Sequence, residues 1–224
     1  MNKYVLLHGI RDVIFDLDGL LIDSEPLWQD ARKLCFQRHA LDFNAISPEE
    51  VMGAGVRDNI LLYKKRLGLT GETETLVAEY RQTFYDLGLK EHELTLCQGA
   101  REFVTYLSEH GYQLAMATGG HTREMVEKIL TSLELRKPFS LIVSSDEVSK
   151  GKPDPEVYIY TLKKLALSAG ECVVFEDSVN GVKAGKGAGI YTVGVNRDER
   201  IRNALSGAGA DIVLSNLREA SSFF

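Results

Sequence analysis

The chain has 224 residues, 44% of them hydrophobic, a formal net charge of -6 and a pI near 5.5. That length supports a sizeable core and an added small domain. The acidic balance argues against nucleic acid as a partner, because phosphate backbones select basic patches. No apolar run is long enough to span a membrane, and Tyr4-Val5-Leu6-Leu7 is too short for a signal-peptide core. Cys35, Cys97 and Cys172 lie far apart and form no CxxC. They predict reduced thiols and a cytoplasmic location, with Cys172 in the core of a strand.

The first element is an apolar strand over 12–17, Asp-Val-Ile-Phe-Asp-Leu, which delivers Asp16, Asp18 and Gly19 at its C-terminal end. Alternation points Asp16 and Asp18 to the same side. Two close carboxylates repel unless a cation or a proton sits between them. A polar turn ending the strand is the plain alternative, but Asp23-Ser24-Glu25 adds more acid than a turn needs.

From Glu25 to about Thr95 only helical pattern follows. Pro26 to His39 is one helix, and Ser47-Pro48-Glu49-Glu50 reads as a capping box that opens another. Asp58 to Leu67 and Leu76 to Leu87 complete the set. The insertion is larger than a crossover needs and predicts a helical cap domain over 25–95, with 1–24 and 96–224 forming the core.

Strand-like runs recur near 113–118, 140–145, 171–176, 190–195 and 211–214, with helices between. This alternation predicts an α/β fold: a Rossmann-like, doubly wound parallel sheet covered on both faces. Ligands in such folds sit beyond the C-terminal strand ends. Three such ends carry polar motifs. Leu114 to Gly120 ends in Thr118, Gly119 and Gly120, a hydroxyl and free backbone N–H groups suited to an anion. Lys152 precedes Pro153, whose ring restricts the lysine backbone to extended conformations. Cys172 to Ser178 ends in Glu176 and Asp177. His121, just after Gly120, offers a contact to substrate but reads more readily as a solvent-facing first-turn residue. Trp28 reads equally as cap core and as a pocket wall. Lys183, Gly185, Lys186, Gly187 and Gly189 lack Gly-Lys-Ser/Thr and read as tight helix packing.

Acids, hydroxyl, lysine and acids in that order resemble the haloacid dehalogenase-like (HAD) phosphohydrolases, in the branch of β-phosphoglucomutase and small sugar-phosphate phosphatases. Asp16-Leu17-Asp18-Gly19 looks like the first motif, Thr118 the second, Lys152 the third and Glu176-Asp177 the fourth. The resemblance covers essentially the whole chain. It implies a Mg²⁺-dependent phosphatase acting on a small phosphorylated metabolite, with sugar phosphates favoured. Asp16 would be the nucleophile and Asp18 the acid and base. Thr118, Gly119 and Lys152 would hold the phosphoryl group. Asp16, Glu176, Asp177 and the Asp18 carbonyl would hold the metal, and the cap, through Trp28 and Arg57, would choose the substrate.

Asp18 argues against carbon–halogen cleavage, since a dehalogenase of this superfamily carries a non-acidic residue there. Trp28 stands where a mutase has a histidine, and the mutase arginine is displaced, with Arg57 the nearest candidate. Both favour hydrolysis over a phosphosugar mutase. A non-catalytic phosphate-binding regulator is a third reading, disfavoured by the large insertion and the complete motif set. The sequence carries no signal for oligomeric state, and a monomer is compatible with it.

Overall fold

The structure, a computed structural model, describes residues 9–88 and 94–224. Tyr4 to Leu7 lie outside the described residues. Six strands form one parallel sheet: β1 Asp12–Phe15, β2 Gln113–Thr118, β3 Phe139–Ser144, β4 Cys172–Glu176, β5 Tyr191–Val195 and β6 Ile212–Leu214. Their order is β3-β2-β1-β4-β5-β6. The chain winds one way through β1, β2 and β3, then crosses back and winds the other way. The order therefore reverses between β1 and β4, which places a crevice at their C-terminal ends. Nearly every β1, β2 and β4 side chain is buried, as a sheet covered on both faces requires.

Helices alternate with these strands: α1 Glu25–Arg38, α2 Pro48–Val51, α3 Val56–Leu67, α4 Thr73–Gly88, α5 Ala100–Glu109, α6 Arg123–Ser132, α7 Glu156–Leu165, α8 Val179–Gly187 and α9 Glu199–Gly207. The first four lie between β1 and β2 and form the inserted helical cap. Helix α2 opens as the capping box requires, with the Ser47 N–H donating to Glu50 at 3.0 Å. Gly68 ends α3 in the left-handed conformation, φ 71°.

Phe15 anchors the core below the crevice. Its ring stacks on Phe175 at 5.5 Å and meets Phe103 and Phe139 edge to face. Cys172 is buried in β4, as expected. The glycine-rich run of α8 also packs as expected: a Cβ on Gly185 would lie 2.6 Å from the Thr192 hydroxyl of β5. Among the described residues no helix is long and apolar enough to cross a membrane.

Because Phe15 is fully buried amid three other rings, Phe15→Ala is expected to cost about 3–5 kcal/mol of stability. Urea denaturation monitored by circular dichroism measures it.

Candidate active site

Four loops meet at the β1/β4 crevice. The central contact is Lys152, only 2% exposed, whose Nζ donates to Asp16 Oδ1 at 2.6 Å, Glu176 Oε1 at 2.6 Å and the Ala117 carbonyl at 3.0 Å. Burial alone would lower its pKa, but Asp16 and Glu176 outweigh this and hold it well above the ordinary lysine value. One ammonium thus ties together the ends of β1, β2 and β4.

Glu176 is held from several sides. It also accepts from the Tyr158 hydroxyl on α7 and from Ser178 Oγ. It lies against the first turn of α8, so closely that a Cβ on Gly181 would fall 1.9 Å from its carboxyl carbon. The positive end of the helix favours an anion there. Gly19 has φ +73°, and a Cβ on it would stand 2.1 Å from Asp177 Oδ2. Glycine at 19 lets the first motif turn directly beside the fourth.

Asp16, Glu176 and Asp177 bring one oxygen each within 4.8 Å of one another, and all three are buried. Burial pushes the Asp16 carboxyl up to about 8; Lys152 opposes this, while Glu176 and Asp18 add to it. Burial, then Asp16 and Glu176, push Asp177 well above the carboxylate range. With all three carboxylates ionised, the state a bound cation would favour, they and the one ammonium carry two net negative charges. An all-oxygen donor set with that charge suits a hard divalent cation.

Asp18 occupies a different environment. Its Oδ1 accepts from Ser24 Oγ at 2.6 Å and Trp28 Nε1 at 2.8 Å, and lies 3.1 Å from His121 Nε2. Burial opposes its ionisation, but His121, then Ser24 and Trp28, hold its carboxyl below the usual range. The two acids of one motif are thereby pushed in opposite directions. Thr118 is fully buried and its hydroxyl has no hydrogen-bond partner. An unpaired buried hydroxyl costs about 1–3 kcal/mol, so this one fits an incoming oxygen ligand.

Asp16, Asp18, Trp28, Gly119 and Asp177 line one cavity, and Lys152 and Glu176 lie behind Asp16. Arg57 is not brought there. Its guanidinium is exposed and pairs with Glu74 on α4, because it stands in the first turn of α3 on the side turned away from the crevice. Arg32 of α1 lines the cavity instead. The solvent-facing reading of His121 is also corrected. It is fully buried, with Nδ1 3.1 Å from the Tyr85 hydroxyl of α4 and the ring against Trp28 and Phe84. Position alone suggested exposure, but the cap covers that turn. Trp28 combines both roles expected of it: it stacks on Phe84 at 4.1 Å and faces the cavity. Ser24, Tyr85 and Tyr158 were not singled out in the sequence. Ser24 carried a signal in the polar run after the first motif, whereas Tyr85 and Tyr158 look like ordinary amphipathic-helix residues.

Residues 13–195 match the model of the haloacid dehalogenase-like hydrolases. The chain belongs to that family. It is 34% identical over 202 residues to a phosphorylated carbohydrates phosphatase of Thermotoga maritima, covering 88% of this chain and 91% of that protein. It is 33% identical over 211 residues to hexitol phosphatase B of Escherichia coli, covering 94% of each. The crystal structure of CbbY from Rhodobacter sphaeroides in complex with phosphate superposes with a TM-score of 0.78 at 26% identity, covering 94% of this chain and 96% of that one.

The raised carboxyl of Asp16 sets a pH dependence. Between the unfolded value of 3.8 and about 8, the folded chain keeps a proton that the unfolded chain has lost. Stability without divalent cations should therefore fall as pH rises through that window, by at most about 1.4 kcal/mol per pH unit for each such group. Asp16→Asn should flatten the slope. Denaturant titrations in chelator across the window test this; an equal slope in the variant would remove Asp16 as its source.

Proposed function

We propose that this protein is a Mg²⁺-dependent phosphatase that hydrolyses a small sugar phosphate through an aspartyl-phosphate. The observation that carries the proposal is the opposed setting of Asp16 and Asp18. Asp16 is fixed by Lys152 among carboxylates, while Asp18 is held apart by its own three partners. One is placed to attack and the other to move protons.

Asp16, Glu176 and Asp177 would hold Mg²⁺, with the Asp18 carbonyl added by family resemblance. The ion, when bound, offsets the charge of the carboxylates and of the phosphate dianion. Lys152 fixes the Asp16 carboxylate and neutralises part of its charge. An Asp16 oxygen bonds to phosphorus as the bond to the leaving oxygen breaks, which divides one hard step into two. Asp18 in its protonated form gives a proton to the leaving alkoxide, and the carboxylate so formed takes one from the water that cleaves the aspartyl-phosphate. Its three donors favour the base form, which the second step needs. Thr118 and the Gly119 N–H would receive the phosphoryl oxygens.

We assign residues 25–95 to the cap and the remainder to the core. In support, Glu25, Trp28, Gln29 and Arg32 on α1 and Met52 to Ala54 line the cavity opposite Asp16. Hydrolysis is favoured over mutase transfer because Trp28 fills the histidine position and Arg57 lies outside the cavity. An indole N–H donates a hydrogen bond but serves as neither acid nor base at neutral pH. A cytoplasmic setting suits the three free cysteines.

Asp16→Asn should abolish phosphate release, and excess chelator should do the same to wild type. Unchanged release in either case would overturn the mechanism. Asp18→Asn should slow hydrolysis of an alkyl phosphate by about 10²–10⁴-fold and of nitrophenyl phosphate far less, because the aryl leaving group hardly needs a proton. Equal losses on both would remove Asp18 from the acid role.

A further inference from the structure

Helices α1 and α4 pack against each other in the cap, and their contact carries a cluster that the phosphoryl chemistry does not use. Cys35 lies on the last turn of α1, and His39 caps that helix four residues later. The His39 N–H donates to the Cys35 carbonyl at 3.2 Å, so one helical turn runs through both and sets their side chains on one face. Glu79 comes from the middle of α4. The Cys35 sulfur, one His39 ring nitrogen and one Glu79 oxygen all lie within 4.8 Å of one another.

The cluster has a dry side and an open side. Cys35 is a free thiol and fully buried, whereas the His39 and Glu79 side chains are 25% and 28% exposed. Glu79 divides its two oxygens. Its Oε1 accepts from Arg38 Nη1 at 3.3 Å, and that guanidinium nitrogen also donates to Thr83 Oγ1 at 2.9 Å. Its Oε2 is turned the other way, 3.2 Å from His39 Nε2. Arg38 thus holds the carboxylate in place while one oxygen stays directed at the histidine.

We propose that Cys35, His39 and Glu79 form a second metal site, for a borderline transition ion of the Zn²⁺ class. Zn²⁺ holds sulfur, nitrogen and oxygen at about 2.0–2.3 Å, which sets ligand atoms about 3.3–3.6 Å apart in a tetrahedron. The His39–Glu79 pair is already at one such edge, and a shift of about 1 Å brings the sulfur to the others. Three protein ligands leave the fourth position to water on the open side. Binding moves the Cys35 proton to solvent as the sulfur bonds the ion. Burial and then Glu79 push this thiol up to about 11, and a coordinated cation reverses that preference. Thiolate, carboxylate and divalent ion then sum to zero charge. The two clusters of the chain differ in hardness: the crevice offers carboxylate oxygens alone, whereas a thiolate and an imidazole select against Mg²⁺. Cys35 stands seven residues beyond Trp28, about 10 Å along α1, so the ion would pin the end of that helix remote from the cavity to α4.

The test titrates the full chain with Co²⁺ in excess Mg²⁺ and a non-thiol reductant. The expected result is one Co²⁺ per chain with thiolate-to-metal charge-transfer absorption, which Zn²⁺ abolishes by displacement. Co²⁺ among the crevice carboxylates gives no such band. Cys35→Ser should remove the band, and His39→Ala and Glu79→Ala should each weaken binding by about 100-fold or more, at least what losing an outer partner of a ligand costs. Cys97→Ser should keep it, because that sulfur lies beside the Gly19 carbonyl, away from the α1–α4 contact. Phosphate release with Mg²⁺ should be unchanged in His39→Ala and Glu79→Ala. The two half-exposed positions decide the matter if Cys35→Ser fails to fold by thermal shift. Absence of the band in wild type, its loss in Cys97→Ser, or unchanged Co²⁺ affinity in both His39→Ala and Glu79→Ala overturns the site.

Discussion

One buried ammonium sets the arrangement of the whole site. Lys152 comes from the loop before α7, yet its Nζ is equidistant from Asp16 after β1 and Glu176 at the end of β4, and it also holds the Ala117 carbonyl of β2. Removing the lysine would leave Asp16 and Glu176 buried together with no cation between them, which typically costs several kcal/mol. The parallel sheet makes this contact possible. Because β1, β2 and β4 are adjacent and point the same way, their ends present acids and carbonyl to one position. The reversal of strand order leaves the crevice in which a lysine fits.

The same contact explains why the motif acids behave differently although only Leu17 separates them. Asp16 faces inward, where burial and neighbouring carboxylates oppose its charge. Asp18 faces the cap, where a serine, an indole and an imidazole support its charge. A single short loop thereby sets two carboxyls in different surroundings: a cation held by Asp16, Glu176 and Asp177 would offset the burial that opposes the Asp16 charge, while Asp18 lies outside that cluster. Gly19 is what permits the loop to be so short, since a side chain there would occupy the place of the Asp177 carboxylate.

Most of the architecture was legible in the sequence because it rests on periodicity. All six strands were expected within a residue or two, the largest difference being the end of β1, where the chain leaves the sheet at Asp16 to make the motif turn. The motif residues were legible because they sit at strand ends, where chain direction dictates where they point. Cap residues were harder. Arg57 and Arg32 both lie on amphipathic helices, and which one faces the crevice depends on how α1 and α3 rotate against α4. No local pattern encodes that rotation. His121 failed for a related reason: its exposure is decided by Tyr85, Phe84 and Trp28, each remote in the chain.

The Gly119-Gly120 turn joins the core to the cap. The Gly119 carbonyl accepts from the Val56 N–H of the cap at 3.4 Å, and the Gly120 carbonyl accepts from Arg81 Nε at 3.1 Å. Arg81 also makes a two-pronged pair with Asp146 beyond β3, at 2.7 and 2.8 Å, so α4 is clamped to the core on both sides of that turn. A Cβ at Gly120 would stand 2.9 Å from both Asp18 Oδ2 and the Trp28 ring. The cap therefore touches Asp18 and the Gly119-Gly120 turn at the same place. A cap held in this position excludes water and strengthens every charge–charge contact around Asp16 and Asp18. Displacing it would break the Trp28 bond to Asp18 and the Arg81 clamp together.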